Sequence, residues 1–168
     1  MTEYHLTPEA FTITRRRGAL ITSQDVDYLP DLERLKVAMI EQPLRRAGDE
    51  RLAELESPIT IGADESCLTL EEYHQVKNRC QVINIKLDKN GGLTEALRIV
   101  DAARADGKKL MVGNMTGSSL SMAPACVIGQ FCEFVDIDGP LLLDRDIEHG
   151  LKYLDAGVVG LPLAELWG

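Results

Sequence analysis

Apolar residues along this chain gather in five short runs, each closed by a polar residue. The runs are 37–41 (VAMIE), 59–64 (ITIGAD), 82–86 (VINIK), 110–114 (LMVGN) and 134–138 (FVDID). Their last residues, Glu41, Asp64, Lys86, Asn114 and Asp138, follow one another at steps of 23, 22, 28 and 24 residues. A strand, a helix and their connections fill about that length. The runs are apolar at odd and even positions alike, which suits a parallel sheet covered by helices. Between them the spacing becomes helical. Leu29, Leu32 and Leu35 recur every third residue, and Pro30 suits only a first turn. Residues 42–57 are charged and read as a surface loop with a short helix. Thr69-Leu70-Glu71-Glu72 is a capping box that opens a helix to about Arg79. Leu93, Ala96, Leu97, Val100 and Ala103 form one apolar stripe between Gly91-Gly92 and Gly107. Residues 118–131 read as a small-residue helix containing Pro124. After Asp138, Gly139-Pro140 turns the chain, and the tail to Gly168 reads as loops and edge pieces.

These units predict an α/β fold: a partial TIM-type (β/α) barrel of about five parallel strand–helix units, spanning residues 28–168. A complete eight-unit barrel takes ~250 residues. The chain has 168, so the expectation is a piece of a barrel, or one that needs a partner. A doubly wound open sheet is the alternative, but neither G-x-G-x-x-G nor G-x-x-x-x-G-K-[ST] occurs. Residues 1–27 are the least regular. FTIT (11–14) and ALIT (19–22) flank Arg15-Arg16-Arg17-Gly18 as the arms of a hairpin would, while Thr7-Pro8 equally suits a helix start. The three arginines suit a solvated turn better than a phosphate site.

Composition narrows the classes. Hydrophobic residues make up 45 % and charged residues 27 %, as in soluble globular proteins. No apolar run approaches the ~18 residues of a membrane span, and MTEYHLTPEAF lacks the layout of a signal peptide. The four cysteines form no CxxC pair, which points to reduced core thiols and a cytoplasmic protein. A net charge of −9 argues against nucleic-acid or anionic-membrane partners. Open edges on a five-strand sheet predict a homo-oligomer.

In a parallel barrel the strand C-termini form one rim, where chemistry is done. Period-two alternation places Met39 with Glu41, Gly62 with Asp64, Asn84 with Lys86, and Asp136 with Asp138 on one face. Glu41 and Asp64, ending adjacent strands, repel unless a cation intervenes, and a hard divalent ion such as Mg²⁺ suits their oxygens. Beside that ion and partly desolvated, Lys86 should lose basicity and serve as a base near neutral pH. The alternative is a set of rim charges in ordinary salt bridges. Asp136 and Asp138 would attract a cation such as an α-ammonium, or cap the Gly139-Pro140 turn. Lys89, three residues past Lys86, is expected at the surface. His5, His74 and His149 fit no motif.

The segments MIEQPL (39–44), ADES (63–66), NIKLDKNGGLTEAL (84–97), VGNMTGSSL (112–120) and VDIDGPLLL (135–143) together resemble the C-terminal barrel half of the enolase superfamily, and most closely its dipeptide epimerases. The resemblance implies Mg²⁺ on Glu41 and Asp64 and acid–base chemistry at Lys86. It further implies a substrate ammonium on Asp136 and Asp138, and a side-chain-selecting loop of Asn114, Met115 and Thr116. The implied reaction is 1,1-proton transfer at the α-carbon of a dipeptide. An N-acylamino-acid racemase or a muconate-type cycloisomerase is the rival within the superfamily. A non-catalytic self-associating half-barrel is the rival outside it. The family pattern also has a third metal carboxylate, which would fall near Ile13 within FTITRRR, where no acid stands; Asp25 is the substitute weighed, and its 16-residue step to Glu41 leaves a cramped unit. Its second lysine and its N-terminal capping domain have no counterpart in this sequence. A truncated form with little activity alone is the resulting expectation.

Overall fold

The computed structural model describes residues 4–5, 11–14 and 29–168. Arg15-Arg16-Arg17, Asp25, the second arm of the expected hairpin and the Thr7-Pro8 turn lie outside the described residues.

Six strands form one parallel sheet in chain order: β2 (Phe11–Thr14), β3 (Val37–Glu41), β4 (Thr60–Ala63), β5 (Val82–Ile85), β6 (Lys109–Val112) and β7 (Phe134–Val135). All five pairings are parallel. The five strands expected from the apolar runs are present. A sixth, the FTIT segment, pairs in parallel with β3, bringing Thr14 opposite Glu41. The sequence marks this run as an extended arm, but its parallel pairing with β3 is set by contact across space and not by any local pattern. Strand β1 (Tyr4–His5) and the tail strands β8 (Tyr153–Leu154) and β9 (Val158–Val159) form a separate antiparallel ribbon in the order β1-β9-β8.

Among the described residues the α-helices are α1 (Leu29–Arg34), α2 (Leu70–Val76), α3 (Leu93–Ala105), α4 (Ser119–Met122), α5 (Ala125–Gly129) and α6 (Ala164–Trp167). The α2 cap forms as expected on one side: Glu72 N donates to Thr69 Oγ1 at 3.2 Å. The reciprocal bond goes one residue further back, from Leu68 N to Glu72 Oε2 at 2.8 Å. Gly91 and Gly92, with φ of 75° and 98°, reverse the chain into α3 in a region that L side chains avoid. The helix expected over 118–131 is two helices. Pro124 has no N–H and its ring crowds the preceding turn, so α4 stops before it and α5 starts after it.

The larger core lies between the outer sheet face and the helices, where Ile40, Ile61, Ile83, Ile85, Leu110 and Val112 meet Tyr73, Ile99, Val100 and Ile128. On the opposite face Met39, Val82 and Met111 pack with Phe134. A Cβ on Gly62 would stand 2.9 Å from Met39 Sδ, so the glycine makes room for the thioether. One step further along, this apolar floor gives way to Glu41 on β3, Asn84 on β5 and Asp136 after β7, with Gly113 after β6. No helix among the described residues is long and apolar enough to cross a membrane.

Candidate active site

The polar layer sits directly above that floor. Glu41 is the last residue of β3, Asp64 follows β4 and Lys86 follows β5. Glu41 and Asp64 are only 2 % and 3 % exposed. Lys86 Nζ donates to Asp64 Oδ2 at 2.7 Å and lies 3.6 Å from Glu41 Oε1. One ammonium thus stands between two buried carboxylates. Asn84, one pleat below Lys86, donates from Nδ2 to Glu41 Oε1, while its Oδ1 is buried without a hydrogen-bond partner among the described residues.

Backbone tethers hold these groups in place. Gln42, in a left-handed conformation at φ 42°, joins the end of β3 to the turn after β4. Its Oε1 accepts from Asp64 N at 2.9 Å and Ser66 N at 3.2 Å. Its Nε2 donates to Leu44 O at 2.7 Å and Ser66 Oγ at 2.8 Å. Asn90 Oδ1 accepts from Lys86 N at 2.8 Å, and its Nδ2 donates to Leu68 O at 2.8 Å. Gly113, the residue after β6, leaves the space that Lys86 and Asn84 occupy. A Cβ there would stand 2.7 Å from Lys86 Cε and 2.8 Å from Asn84 Oδ1.

Lys89 is not a free surface residue. Its Nζ donates to both oxygens of Asp64 at 3.1 Å and to Glu65 Oε1 at 3.0 Å. The chain folds back after β5, with Lys89 N donating to Lys86 O at 2.8 Å. That turn returns Lys89 to the rim, a step that strand periodicity does not foresee. Gln42 and Asn84 lie inside the quoted motifs, and Asn84 on the predicted face, but a neutral amide carries no signal of its own. Gly113 was equally inconspicuous.

Burial pushes the Lys86 pKa down, but the hydrogen bond and charge of Asp64, then the charges of Glu41 and Glu65, outweigh it, and the net direction is up. Across the rim, loss of water and then the neighbouring Asp138 carboxylate push Asp136 up to about 6. Asp136 touches solvent on the open side of the rim, while the protein around its other sides withholds much of its water. Asn114 Nδ2 donates to Asp136 O at 2.7 Å and to Asp136 Oδ1 at 3.3 Å, tying the loop after β6 to the acidic pair. Met115 and Thr116 are exposed beside it. The Asp138 side chain does not cap the turn that follows. Burial raises all four thiols, Cys67 and Cys132 to about 12 and Cys80 to about 11, so they are protonated core groups.

Whether these residues suit a metal is a question of donor chemistry. Glu41 and Asp64 offer hard oxygens, are buried, and already share one cationic group, so the pair fits a hard cation. No group of three or more His, Cys, Asp or Glu side chains converges among the described residues.

A parallel half-barrel with acids and a lysine on its rim defines an enolase-type barrel domain. The chain belongs to the Enolase C-terminal domain-like family, whose model matches residues 17–164. It is 45 % identical over 137 residues to N-acetyl-D-glutamate racemase of a Pseudoalteromonas species, covering 82 % of this chain and 43 % of that protein. It is 44 % identical over 119 residues to L-Ala-D/L-Glu epimerase of Escherichia coli K12, covering 71 % and 37 %. Among solved structures, an enolase family member from Agrobacterium tumefaciens with homology to dipeptide epimerases, with bound sodium and L-Ala-L-Glu, superposes with a TM-score of 0.88. That match has 43 % identity and covers 94 % of this chain and 48 % of the other. A dipeptide epimerase from Methylococcus capsulatus, complexed with Mg and L-Arg-D-Lys, has a TM-score of 0.73 at 33 % identity, covering 83 % and 41 %. The chain spans less than half the length of these relatives.

Proposed function

We propose that this chain carries one acid–base face of a Mg²⁺-dependent dipeptide epimerase. The observation that carries the reading is Lys86 between two buried carboxylates, on the same rim as the paired Asp136 and Asp138. Glu41 and Asp64 would hold the cation. When bound, Mg²⁺ supplies positive charge to the substrate carboxylate, which gains negative charge as the α-proton leaves. Lys86 takes that proton. To do so it must first lose its own, and the Asp64 hydrogen bond opposes this. Asp136 and Asp138 bind the dipeptide's ammonium group, and Asn114 holds Asp136 in place for it. Met115 and Thr116 border the substrate side chain.

Epimerisation needs a proton removed on one face and returned on the other. Among the described residues, the lysines paired with these carboxylates are Lys86 and Lys89, and both reach Asp64. The chain alone should therefore exchange a proton without inverting the centre. Incubation with L-Ala-L-Glu in D₂O with Mg²⁺, followed by proton NMR, is the test. Expected is slow loss of one α-proton signal with retained configuration, abolished in Lys86→Ala. Inversion at a useful rate, or exchange that survives Lys86→Ala, would overturn the assignment. Losing one proton-transfer group costs of order 10²–10⁴ in rate. The similarity to N-acetyl-D-glutamate racemase supports a second reading, with an N-acylated amino acid as substrate. Such a substrate has no ammonium for Asp136 and Asp138, so Asp136→Asn should weaken exchange of the dipeptide and leave that of N-acetylglutamate unchanged.

A further inference from the structure

We propose that Lys89 is an internal counter-cation of the site, occupying Asp64 in the cation-free chain and moving to Glu65 when a divalent cation binds, so that it sets the site's cation affinity. The proposal rests on the reading of Glu41 and Asp64 as the cation-holding pair.

Each of the two buried carboxylates has an ammonium group beside it. Glu41 and Asp64 are matched by the ammonium groups of Lys86 and Lys89, all drawn together through Asp64. Both Asp64 oxygens are engaged: Oδ2 by Lys86 and Lys89, Oδ1 by Lys89. A divalent cation needs a lone pair on Asp64 and would add two positive charges beside two ammonium groups. At least one ammonium has to withdraw.

The two lysines are not equally free to do so. Among the described residues the ion-pair partners of Lys86 are Asp64 and Glu41, both buried, and its backbone is held by Asn90. Lys89 rises from a turn and already touches a second carboxylate, Glu65, whose side chain is 53 % exposed. Leaving Asp64, it keeps an ion pair at 3.0 Å and turns toward water. Lys86 would lose its hydrogen-bonded partner and gain none. Lys89 is thus the group that gives way. Its departure removes one positive charge from beside Lys86 and leaves Asp64 free to face the incoming ion.

Calorimetric titration of the full chain with MgCl₂ reads the first consequence. Lys89→Met and Lys89→Gln should both bind Mg²⁺ of order tenfold more tightly than the parent chain. Deleting a nearby positive charge would raise affinity even if Lys89 never moved, so a second readout is needed. Acylation of Lys89 by an amine-reactive ester, followed by peptide mass spectrometry, should be severalfold faster at saturating Mg²⁺. Unchanged or weaker Mg²⁺ affinity in both Lys89 variants, or unchanged Lys89 reactivity, would overturn the proposal. Asp64→Asn separates the two layers. Loss of Mg²⁺ binding in Asp64→Asn, with affinity unaltered in the Lys89 variants, refutes only the role of Lys89. Binding that ignores Asp64→Asn refutes the underlying site, and the role of Lys89 with it. So does the absence of binding to parent and Lys89→Met alike.

Discussion

A lysine hydrogen-bonded to a buried carboxylate is an acid at neutral pH, and Lys86 is in that position until something takes Asp64 away from it. Asp136 shows the opposite strain. Its pKa is pushed up to about 6 by loss of water and by Asp138, above the unfolded value of 3.8. An acid whose folded pKa is raised subtracts stability when ionised. The penalty is absent below the unfolded pKa, grows as pH rises through the window from 3.8 to about 6, and is complete above it. We therefore predict that Asp136→Asn raises the melting temperature at pH 7.5, with a gain that shrinks toward zero at pH 4. A gain independent of pH would show that the charge of Asp136 is not strained. The same charge is what would attract an ammonium ion, so dipeptide binding should weaken below about pH 6. Much of this chemistry was legible from residue types at strand ends: Glu41, Asp64, Lys86, Asp136 and Asp138 were marked by charge against an apolar background. Lys89 was not, because its return to Asp64 depends on a turn whose direction no periodicity records.

At the scale of elements, a strand end is only as useful as the empty space beside it. β5 delivers Asn84 and Lys86 to the interior face, and β6 answers with Gly113 at the matching height. We predict that Gly113→Ala leaves the fold intact at a cost of about 1–3 kcal/mol, because its methyl group would collide with Lys86 Cε and the Asn84 amide. Denaturant melts would give the cost. Exchange of the substrate α-proton should fall far more than stability does, since Lys86 must shift. Retained exchange in a stably folded Gly113→Ala chain would mean that the lysine has room to spare. Helices are legible in the sequence where caps and stripes agree, as in α2 and α3. The 118–131 segment reads as one helix because its small residues carry helical spacing on both sides of Pro124. The break is a local steric matter, and it divides that spacing without erasing it.

At the scale of the whole molecule, the sheet formed by the described residues ends at β2 on one side and at the two-residue β7 on the other. Beyond β7 the tail exposes Leu141, Leu142, Leu154, Leu161, Leu163 and Trp167, with Leu142 at 67 %. Exposed apolar side chains clustered in one stretch, together with unpaired sheet edges, favour association. We predict self-association at micromolar concentration, measured by sedimentation velocity. A stable monomer that binds no apolar dye would refute this. The order of the strands, the faces of the helices and the charged strand ends were determined by the sequence itself, because period and polarity are local and each unit repeats them. The tertiary structure alone decided that FTIT joins the sheet through β3, that Lys89 and Lys86 converge on Asp64, and that two neutral amides and a bare glycine shape the site. Those outcomes rest on contacts between residues more than twenty positions apart, where pairing, charge and free volume act through space and leave no mark on the neighbouring sequence.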